Sequence, residues 1–429
     1  MHRLDPAPRS YPPFVWLVRR AAGFGTGPAG PGSAAETEAW LLGAALHERD
    51  MVALFGGLIS RLIACGLPLE RASLHVGTLH PQLLGFAWNW SRSDGLVDEV
   101  WAGGQAREGP SYTRNPLFDV IEHGREVRAR GDDPQALARF PLVAELARSG
   151  ISEYLALPIG GGGGQHNAAT LATRRPGGFR DEEIAVLRRM LALFGLHVER
   201  HIAWRIAGNV LEAYLGAAAG RQVLEGAIKR GSGRPIGAVI WVSDLRGYTD
   251  LSDRLKAPDM LVLLNHYFEL LAGAVLARGG EVLKFMGDGL LAVFPLDGEG
   301  GPVGAAARAL DAAREVLRGL ARFNGGEAPA DLARIEGWCP LGTGIALHLG
   351  EVFFGNVGAP ERLDFTVIGP AVNVASRIEA LCKGLGEPVL LTAPVARLLR
   401  LPLRDLGRHR LKGVGEPVAV FAPLAERAG

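Results

Sequence analysis

Two short stretches decide the fold of the second half of the chain: Trp-Val-Ser-Asp-Leu-Arg-Gly-Tyr-Thr at residues 241–249 and Leu-Lys-Phe-Met-Gly-Asp-Gly at residues 283–289. Each places an aspartate, Asp244 or Asp288, where an apolar run typical of a strand breaks into a turn. Hard divalent cations prefer oxygen ligands and bridge carboxylates to substrate phosphates. The two strand-end aspartates therefore predict a site for two cations about 3.5–4 Å apart, the arrangement that assists phosphoryl displacement.

The elements around these stretches follow a known order. Apolar alternation and helical spacing predict strand 238–242, helix 258–278, hairpin strands 281–285 and 290–294, helix 303–323 and strand 342–348. This β-α-β-β-α-β order is typical of the ferredoxin-like unit, so we predict an α/β (α+β) domain. The two aspartates then converge from neighbouring central strands. Either one alone has a plainer interpretation, because Asp-Gly is a standard hairpin turn. Further elements are expected near 352–357, 371–383, 389–391 and 418–421.

Five motifs occur in order between residues 237 and 425: Ser-Asp-Leu-Arg-Gly-Tyr-Thr, Lys-Phe-Met-Gly-Asp-Gly, Gly-Ile-Ala-Leu-His-Leu-Gly-Glu-Val, Phe-Thr-Val-Ile-Gly-Pro-Ala-Val-Asn-Val-Ala-Ser-Arg and Leu-Lys-Gly-Val-Gly-Glu-Pro. With them, this region resembles the catalytic domain of the class III adenylate/guanylate cyclases. The resemblance implies that Asp244 and Asp288 hold two Mg²⁺ or Mn²⁺ ions per site, helped by the carbonyl of Leu245.

The same resemblance implies roles for three residues further along the chain. Asn373 orients the ribose, Arg377 clamps the α-phosphate, and Lys412 binds the triphosphate. Asn373 and Arg377 are four residues apart on a predicted helix and therefore share a face. The plainer alternatives are an exposed polar helix side for this pair and a solvated surface lysine for Lys412.

The residues that select the base also follow from the resemblance. Lys284 matches the lysine suited to adenine, where guanylate cyclases usually place glutamate. Its usual aspartate partner is replaced by Thr366, as in a subclass some of whose members respond to bicarbonate. Asp364 shares the strand face of Thr366 and is an alternative reader. A second departure is Leu341-Gly342, where some relatives carry an arginine that touches the triphosphate. His348 lies in an alternating strand and is interpreted as a packed residue.

The expected function is that of an adenylate cyclase, which converts ATP to 3′,5′-cyclic AMP and pyrophosphate. The family places its sites between two catalytic domains, so one domain per chain implies a homodimer with shared sites. Two alternatives stay open: a guanylate cyclase, which Lys284 disfavours, and a catalytically silent nucleotide-binding regulatory module. The second is disfavoured because Asp244, Asp288, Asn373 and Arg377 are all retained. A P-loop NTPase is excluded by the absence of a Gly-x-x-x-x-Gly-Lys-Ser/Thr run.

The first half of the chain carries weaker signals. Residues 1–35 are rich in proline and glycine and predict a flexible tail. Residues 36–183 show a helix, strands, a glycine hairpin at 160–164, Phe179 and an acidic helix start at Asp181. That order resembles a GAF-like small-molecule sensor domain, and a structural or dimerising domain with an empty pocket is the alternative. Residues 184–235 predict a long linker helix and a polar joint before the cyclase-like domain at 236–425.

Composition narrows the remaining classes of function. The chain of 429 residues has 46 basic and 45 acidic side chains and a net charge of +1, without a basic stripe, which disfavours nucleic acid and anionic membranes as partners. Cys65, Cys339 and Cys382 are far apart and predict a reducing compartment. No run of 18 uncharged apolar residues and no signal peptide is recognised, so a cytoplasmic location is expected. A small-molecule regulator is expected at the N-terminal domain.

Overall fold

The structure is a computed structural model that describes residues 11, 13–22, 30–77, 83–103, 110–160, 166–338 and 340–424. The chain divides into two compact units, Met1–Val210 and Leu211–Gly429. This division falls inside a long helix, whereas the sequence places the domain joint at residues 229–235. Each unit has its own sheet and its own apolar core.

The first unit is built on a seven-stranded antiparallel sheet. Its strands are β1 (Val15–Ala22), β2 (Arg71–Gly77), β3 (Leu83–Ser91), β4 (Leu96–Gly103), β5 (Val127–Arg130), β6 (Glu153–Pro158) and β7 (Ala168–Thr173), in the order β1-β4-β3-β2-β7-β6-β5. Its helices are α1 (Ala34–Leu42), α2 (Met51–Ala64), α3 (Pro110–Thr113), α4 (Pro116–His123), α5 (Pro134–Arg139), α6 (Pro141–Arg148) and α7 (Asp181–Leu215), with a 3₁₀ turn at Ala44–His47.

Local sequence explains where several of these helices begin. Ser33 caps α1 and forms a reciprocal capping box with Glu36. Asn115 and Asp133 cap α4 and α5, and a proline fills the first turn of each helix. Three acidic residues begin α7, where they complement the positive end of the helix dipole.

Strand β1 corrects one expectation from the sequence. Residues 1–35 were expected to form a flexible tail, but Val15–Ala22 pairs antiparallel with β4 from Val15 against Ala102 to Ala22 against Leu96. The physical reason is that Val-Trp-Leu-Val at residues 15–18 has strong β propensity, which the surrounding prolines and glycines obscure. Residues 161–164 of the predicted glycine hairpin lie outside the described residues.

The second unit is built on an eight-stranded sheet. Its strands are β8 (Gly233–Leu245), β9 (Glu281–Met286), β10 (Gly289–Pro295), β11 (Thr343–Ala359), β12 (Arg362–Ile368), β13 (Val389–Thr392), β14 (Leu403–His409) and β15 (Val418–Pro423). The strand order is β14-β15-β13-β11-β8-β10-β9, and β12 pairs with β11. Its helices are α8 (Ala217–Leu224), α9 (Tyr248–Arg254), α10 (Ala257–Leu276), α11 (Gly301–Arg322), α12 (Ala330–Ala333), α13 (Pro370–Leu385) and α14 (Ala393–Ala396), with a π-helical turn at Phe323–Glu327.

Strand β8 lies at the centre and its alternation separates two apolar layers. Val239 and Trp241 belong to the layer with α10 and α11. Ile240 and Val242 belong to the layer with α8 and α13. Such alternation over a sheet covered on both faces is the period-two pattern of a central strand. The sheet edge at which β8 ends is therefore held rigidly from both sides.

Strand β11 and helix α10 are two further elements of this unit that can be compared with the sequence predictions. Strand β11 runs unbroken through the two predicted strands 342–348 and 352–357 because it pairs with β8 along its length, from Thr343 against Leu245 to Gly355 against Gly233. Helix α10 is the one helix within the described ranges that is long and apolar enough to cross a membrane, a property that core helices of soluble proteins share. Its Leu263, Tyr267 and Leu271 are buried in the core of the unit.

Candidate active site

Asp244 and Asp288 converge at one edge of the second sheet. Asp244 is the penultimate residue of β8, and Asp288 lies in the turn between β9 and β10. Gly287 in that turn has φ of 67°, which favours glycine. A Cβ atom on Gly289 would lie 3.2 Å from Asp244 Oδ1, so the turn passes close to the carboxylate. Burial and the neighbouring Asp288 raise the pKa of Asp244 to about 6.

The backbone at Asp244 is fixed by a short chain of buried hydroxyl groups. Thr343 Oγ1 donates to the Asp244 carbonyl at 3.0 Å, and Tyr267 Oη lies 2.8 Å from Thr343 Oγ1. Both side chains are buried, and burial raises the pKa of Tyr267. Leu245, whose carbonyl is a predicted cation ligand, is 3% exposed and pairs with Thr343. Packing in the core and the backbone pairing between β8 and β11 therefore fix the position of the Asp244 carboxylate.

A third carboxylate, Glu379 on α13, was missed by the sequence analysis. Gly344 pairs with Asp244, and a Cβ atom on Gly344 would lie 2.5 Å from Glu379 Oε1. Burial, Asp244 and Asp288 raise the pKa of Glu379 to about 7, and Arg246 partly offsets this. The sequence held one signal that could have identified Glu379: this acidic residue directly follows Ile378, which is buried on the apolar side of α13.

The donor chemistry at Asp244 and Asp288 fits a hard divalent cation. Two carboxylates held side by side, one of them with a raised pKa, repel each other and are neutralised by a bound cation. No group of three or more His, Cys, Asp or Glu side chains in the described ranges has the geometry of a metal site. The two aspartates would therefore need further oxygens, from water or from phosphates, to complete a coordination shell.

Lys284, Asp364 and Thr366 lie together on β9 and β12. Lys284 Nζ donates to Asp364 Oδ2 at 2.9 Å. Thr366 is two residues further along β12, on the same strand face as Asp364. Its Oγ1 is buried and has no hydrogen-bond partner among the described residues. A buried hydroxyl without a partner costs free energy, which a ligand that bonds to it would recover.

Asn373, Arg377 and Lys412 are exposed, and none of them makes a hydrogen bond or ion pair within the part of the chain that the structure describes. Gly369, with φ of 151°, is the N-cap residue directly before α13, and Asn373 and Arg377 follow on one helix face. Arg377 and Glu379 are two residues apart, or about 200° around the helix axis. Because Glu379 faces Asp244, Arg377 faces away from the aspartates of its own chain.

The structure also shows the contacts around Leu341-Gly342 and around His348. At Leu341-Gly342, where the resemblance implies an arginine in some relatives, Arg246 packs over Gly342. A Cβ atom placed on Gly342 would lie 3.4 Å from Arg246 Cγ. Arg246 also donates a hydrogen bond to the Glu387 carbonyl at 2.9 Å. His348 Nδ1 lies 2.8 Å from Thr392 Oγ1, and burial lowers the pKa of His348 to about 4. His348 is thus a packed neutral histidine.

Cys382 is a buried free thiol and Cys65 is a half-buried free thiol, while Cys339 lies outside the described residues.

Part of the second unit matches a known protein family. Residues 237–422 match the family model described as the adenylate and guanylate cyclase catalytic domain, so this part of the chain is a class III cyclase catalytic domain. An adenylate cyclase from Anabaena cylindrica is 38% identical over 159 residues, which is 37% of this chain and 30% of that protein. Adenylate cyclase 1 from Rhizobium meliloti (strain 1021) is 31% identical over 172 residues, which is 40% of this chain and 25% of that protein.

Among solved structures, the adenylyl cyclase CyaB from P. aeruginosa is 27% identical, with a TM-score of 0.41 and coverage of 46% of this chain and 98% of that chain. A bacterial light-regulated adenylyl cyclase is 19% identical, with a TM-score of 0.45 and coverage of 82% and 86%. This chain spans less than a third of the length of the two curated relatives. The range matched by the family lies within the second unit.

Proposed function

We propose that the protein is an adenylate cyclase that converts ATP to 3′,5′-cyclic AMP and pyrophosphate. The observation that carries this proposal is the convergence of Asp244 and Asp288 at one sheet edge inside the matched cyclase domain. In the reaction the ribose 3′-oxygen attacks the α-phosphorus and pyrophosphate leaves. Two bound Mg²⁺ or Mn²⁺ ions would make the 3′-hydroxyl more acidic and neutralise charge on the triphosphate.

The residues of the chain divide the remaining work. Asp244, Asp288 and the Leu245 carbonyl would hold the cations, and Thr343 with Tyr267 fixes the backbone that carries Asp244. Asn373 orients the ribose so that its 3′-oxygen is in line with the leaving group. Arg377 stabilises the charge that develops on the α-phosphate, and Lys412 binds the outer phosphates.

The active protein is a homodimer with two shared sites in this proposal. Glu379 and Arg377 lie on nearly opposite sides of α13, so the face that carries Asn373 and Arg377 is turned away from the cations of its own chain. Asp244 and Asp288 then come from one protomer. Lys284, Thr366, Asn373, Arg377 and Lys412 come from the other.

Mixing of inactive variants tests the shared site. Asp244→Ala and Arg377→Ala homodimers should both be inactive, whereas co-expressed chains with two different affinity tags should form heterodimers with one intact site. Those heterodimers should recover up to half of the wild-type rate. Asp244→Ala mixed with Asp288→Ala is the matched control, because both changes fall in the same half and no site is restored. Isolated Asp244→Ala/Arg377→Ala heterodimers without activity would refute the shared site.

Lys284 and its neighbours support ATP as the substrate. The Lys284–Asp364 pair holds the lysine, and the unpartnered hydroxyl of Thr366 can both donate and accept, as recognition of the adenine edge requires. Thr366→Val should therefore lower kcat/KM for ATP about tenfold, while Thr366→Ser should keep most of it. If Asp364→Asn causes the larger loss of ATP over GTP selectivity, Asp364 reads the base.

Identification of the product decides between the three functions. Purified protein is incubated with ATP or GTP and with Mg²⁺ or Mn²⁺, and the cyclic nucleotide is identified by mass. Cyclic GMP as the main product would contradict the adenine assignment. Absence of product under all conditions, with nucleotide binding retained, would favour a silent regulatory module. Bicarbonate added at fixed pH tests the response that Thr366 suggests.

The first unit is proposed to be a GAF-like sensor that regulates the cyclase through a small molecule. Its antiparallel sheet with helices carries a cavity, and α7 continues from this unit into the second. The measurement is cyclase activity of the full chain with and without a compound that binds this unit. Activity that does not change when the unit is saturated would contradict regulation.

A further inference from the structure

A cavity of about 420 Å³ lies on the first unit, within the range of size that small-molecule sites occupy. Its apolar wall includes Phe14, Val100 and Ala102, and its polar wall includes His75, Asn89 and Asn167. No Asp, Glu, Lys or Arg is among the described residues that line it. An ion placed there would lose its hydration without gaining an opposite charge from these residues.

His75 is the polar centre of this cavity. Its Nε2 lies 2.7 Å from Ser73 Oγ, which lies 2.5 Å from Thr170 Oγ1. Tyr154 hydrogen-bonds to the same threonine. Because Nε2 is engaged, Nδ1 is left for a ligand, and it has no partner within the described ranges. Burial lowers the pKa of His75 to about 4, so the imidazole is neutral at physiological pH.

Charged groups close to the cavity are already compensated. Asn89 pairs across β3 and β4 with Asp98, and that buried carboxylate accepts from Arg20 at 2.6 and 2.8 Å and from Tyr11 at 2.7 Å. A second cavity, of about 490 Å³, shares His75 and Asn89 and also carries charged residues. Two of these, Arg174 and Glu70, form an ion pair at 3.0 Å, and the other two are Arg71 and Asp94. This second cavity is therefore the place where an anion would compete with binding at the first cavity, and the test includes anionic probes for this reason.

We propose that the cavity at His75 binds an uncharged small organic molecule with an apolar body and a hydrogen-bonding edge directed at His75. The apolar wall removes the body of the molecule from water, and the neutral histidine fixes its polar edge. The class comprises neutral heteroaromatic amides, phenols and similar compounds. This proposal is independent of the proposed cyclase reaction because it concerns binding to the first unit.

The test compares neutral probes with their anionic counterparts on the full chain. Benzamide and indole-3-carboxamide are paired with benzoate and indole-3-carboxylate, and binding is followed by saturation-transfer NMR up to about 5 mM, the weak range expected for fragments. At least one amide should bind, and at least tenfold more tightly than its carboxylate. Binding of neither amide, or preferred binding of the carboxylates, would overturn the proposal.

Variants locate the site. His75→Phe keeps the ring volume but removes both nitrogens, and it should weaken amide binding at least tenfold. Ala102→Trp fills the cavity and should abolish it. His47→Phe is the matched control, because His47 is exposed and does not line this cavity. Thermal unfolding verifies that each variant is folded. Amide binding that survives both His75→Phe and Ala102→Trp would place the ligand elsewhere and refute the assignment.

Discussion

The two units differ in how the charges of their buried or half-buried acidic residues are compensated. In the first unit, Glu99 is 1% exposed and accepts from Arg19 and Arg205. Glu153 is equally buried and accepts from Arg128 and from the Phe179 amide. Each carboxylate has an opposite charge and hydrogen bonds, as stable burial of a charge requires.

In the second unit, three carboxylates are brought together with little compensation. Burial and Asp288 raise the pKa of Asp244, and burial, Asp244 and Asp288 raise the pKa of Glu379, which Arg246 only partly offsets. Three carboxylates placed together repel one another, so the arrangement is unfavourable for folding unless an opposite charge is supplied. The first set of acids is therefore compensated within the fold, whereas the second set has little compensation among the described residues.

The largest expected effect is loss of catalysis when the clustered carboxylates are changed. Asp244→Asn and Asp288→Asn should each lower kcat/KM for cyclic AMP formation at least about 100-fold, the scale for removal of one group that stabilises transition-state charge. Product is measured with saturating Mn²⁺. Asp297→Asn is the control, because Asp297 is exposed on the same unit. Near-normal activity of either site variant would remove these aspartates from the mechanism.

The next effect is on stability and has the opposite sign in the two units. Glu99→Gln should destabilise the first unit by about 2 kcal/mol, because two arginines lose a charged hydrogen-bond partner. Asp244→Asn should leave the metal-free second unit equally stable or more stable, since one of two facing charges is removed. Both are measured by urea unfolding in the presence of a chelator. Equal losses in both variants would contradict the comparison between the units.

The smallest effect is a pH dependence of the metal-free protein. The pKa of Asp244 is about 6 and that of Glu379 about 7, both above their unfolded values. The folded state therefore binds more protons, and the second unit should lose stability as pH rises from about 4 to about 7. After allowance for solvent exposure of Asp244, we expect about 1 kcal/mol, or about 2–4 °C in Tm.

Scanning calorimetry between about pH 4 and about pH 8 with a chelator measures this dependence. The double variant Asp244→Asn/Glu379→Gln should flatten it, and Mn²⁺ at pH 8 should restore stability to the wild type. A wild-type profile that matches the double variant would show that the carboxylates are already compensated in the folded state.

Local pattern was enough to predict much of the second unit. The order of elements from β8 to β11 follows from apolar periodicity, and the turn residues after β8 and β9 locate Asp244 and Asp288. Prediction was poorer in the first unit, where β1, β4 and β5 were not anticipated. Prolines and glycines around β1 obscure its pattern, β4 carries two acidic residues, and Val127–Arg130 has only four residues, so local pattern identified none of the three.

The sequence by itself was enough to predict a type of chemistry, because the aspartates, Asn373 and Arg377 stand in recognisable local contexts of turn and helix. Three relations were decided by tertiary structure alone. Glu379 lies beside Gly344, and Lys284 forms an ion pair with Asp364. Arg377 points away from the two aspartates of the same chain. The physical reason is that these relations depend on sheet register and helix docking. Such contacts join residues that are distant in the chain, and local propensity carries no information about them.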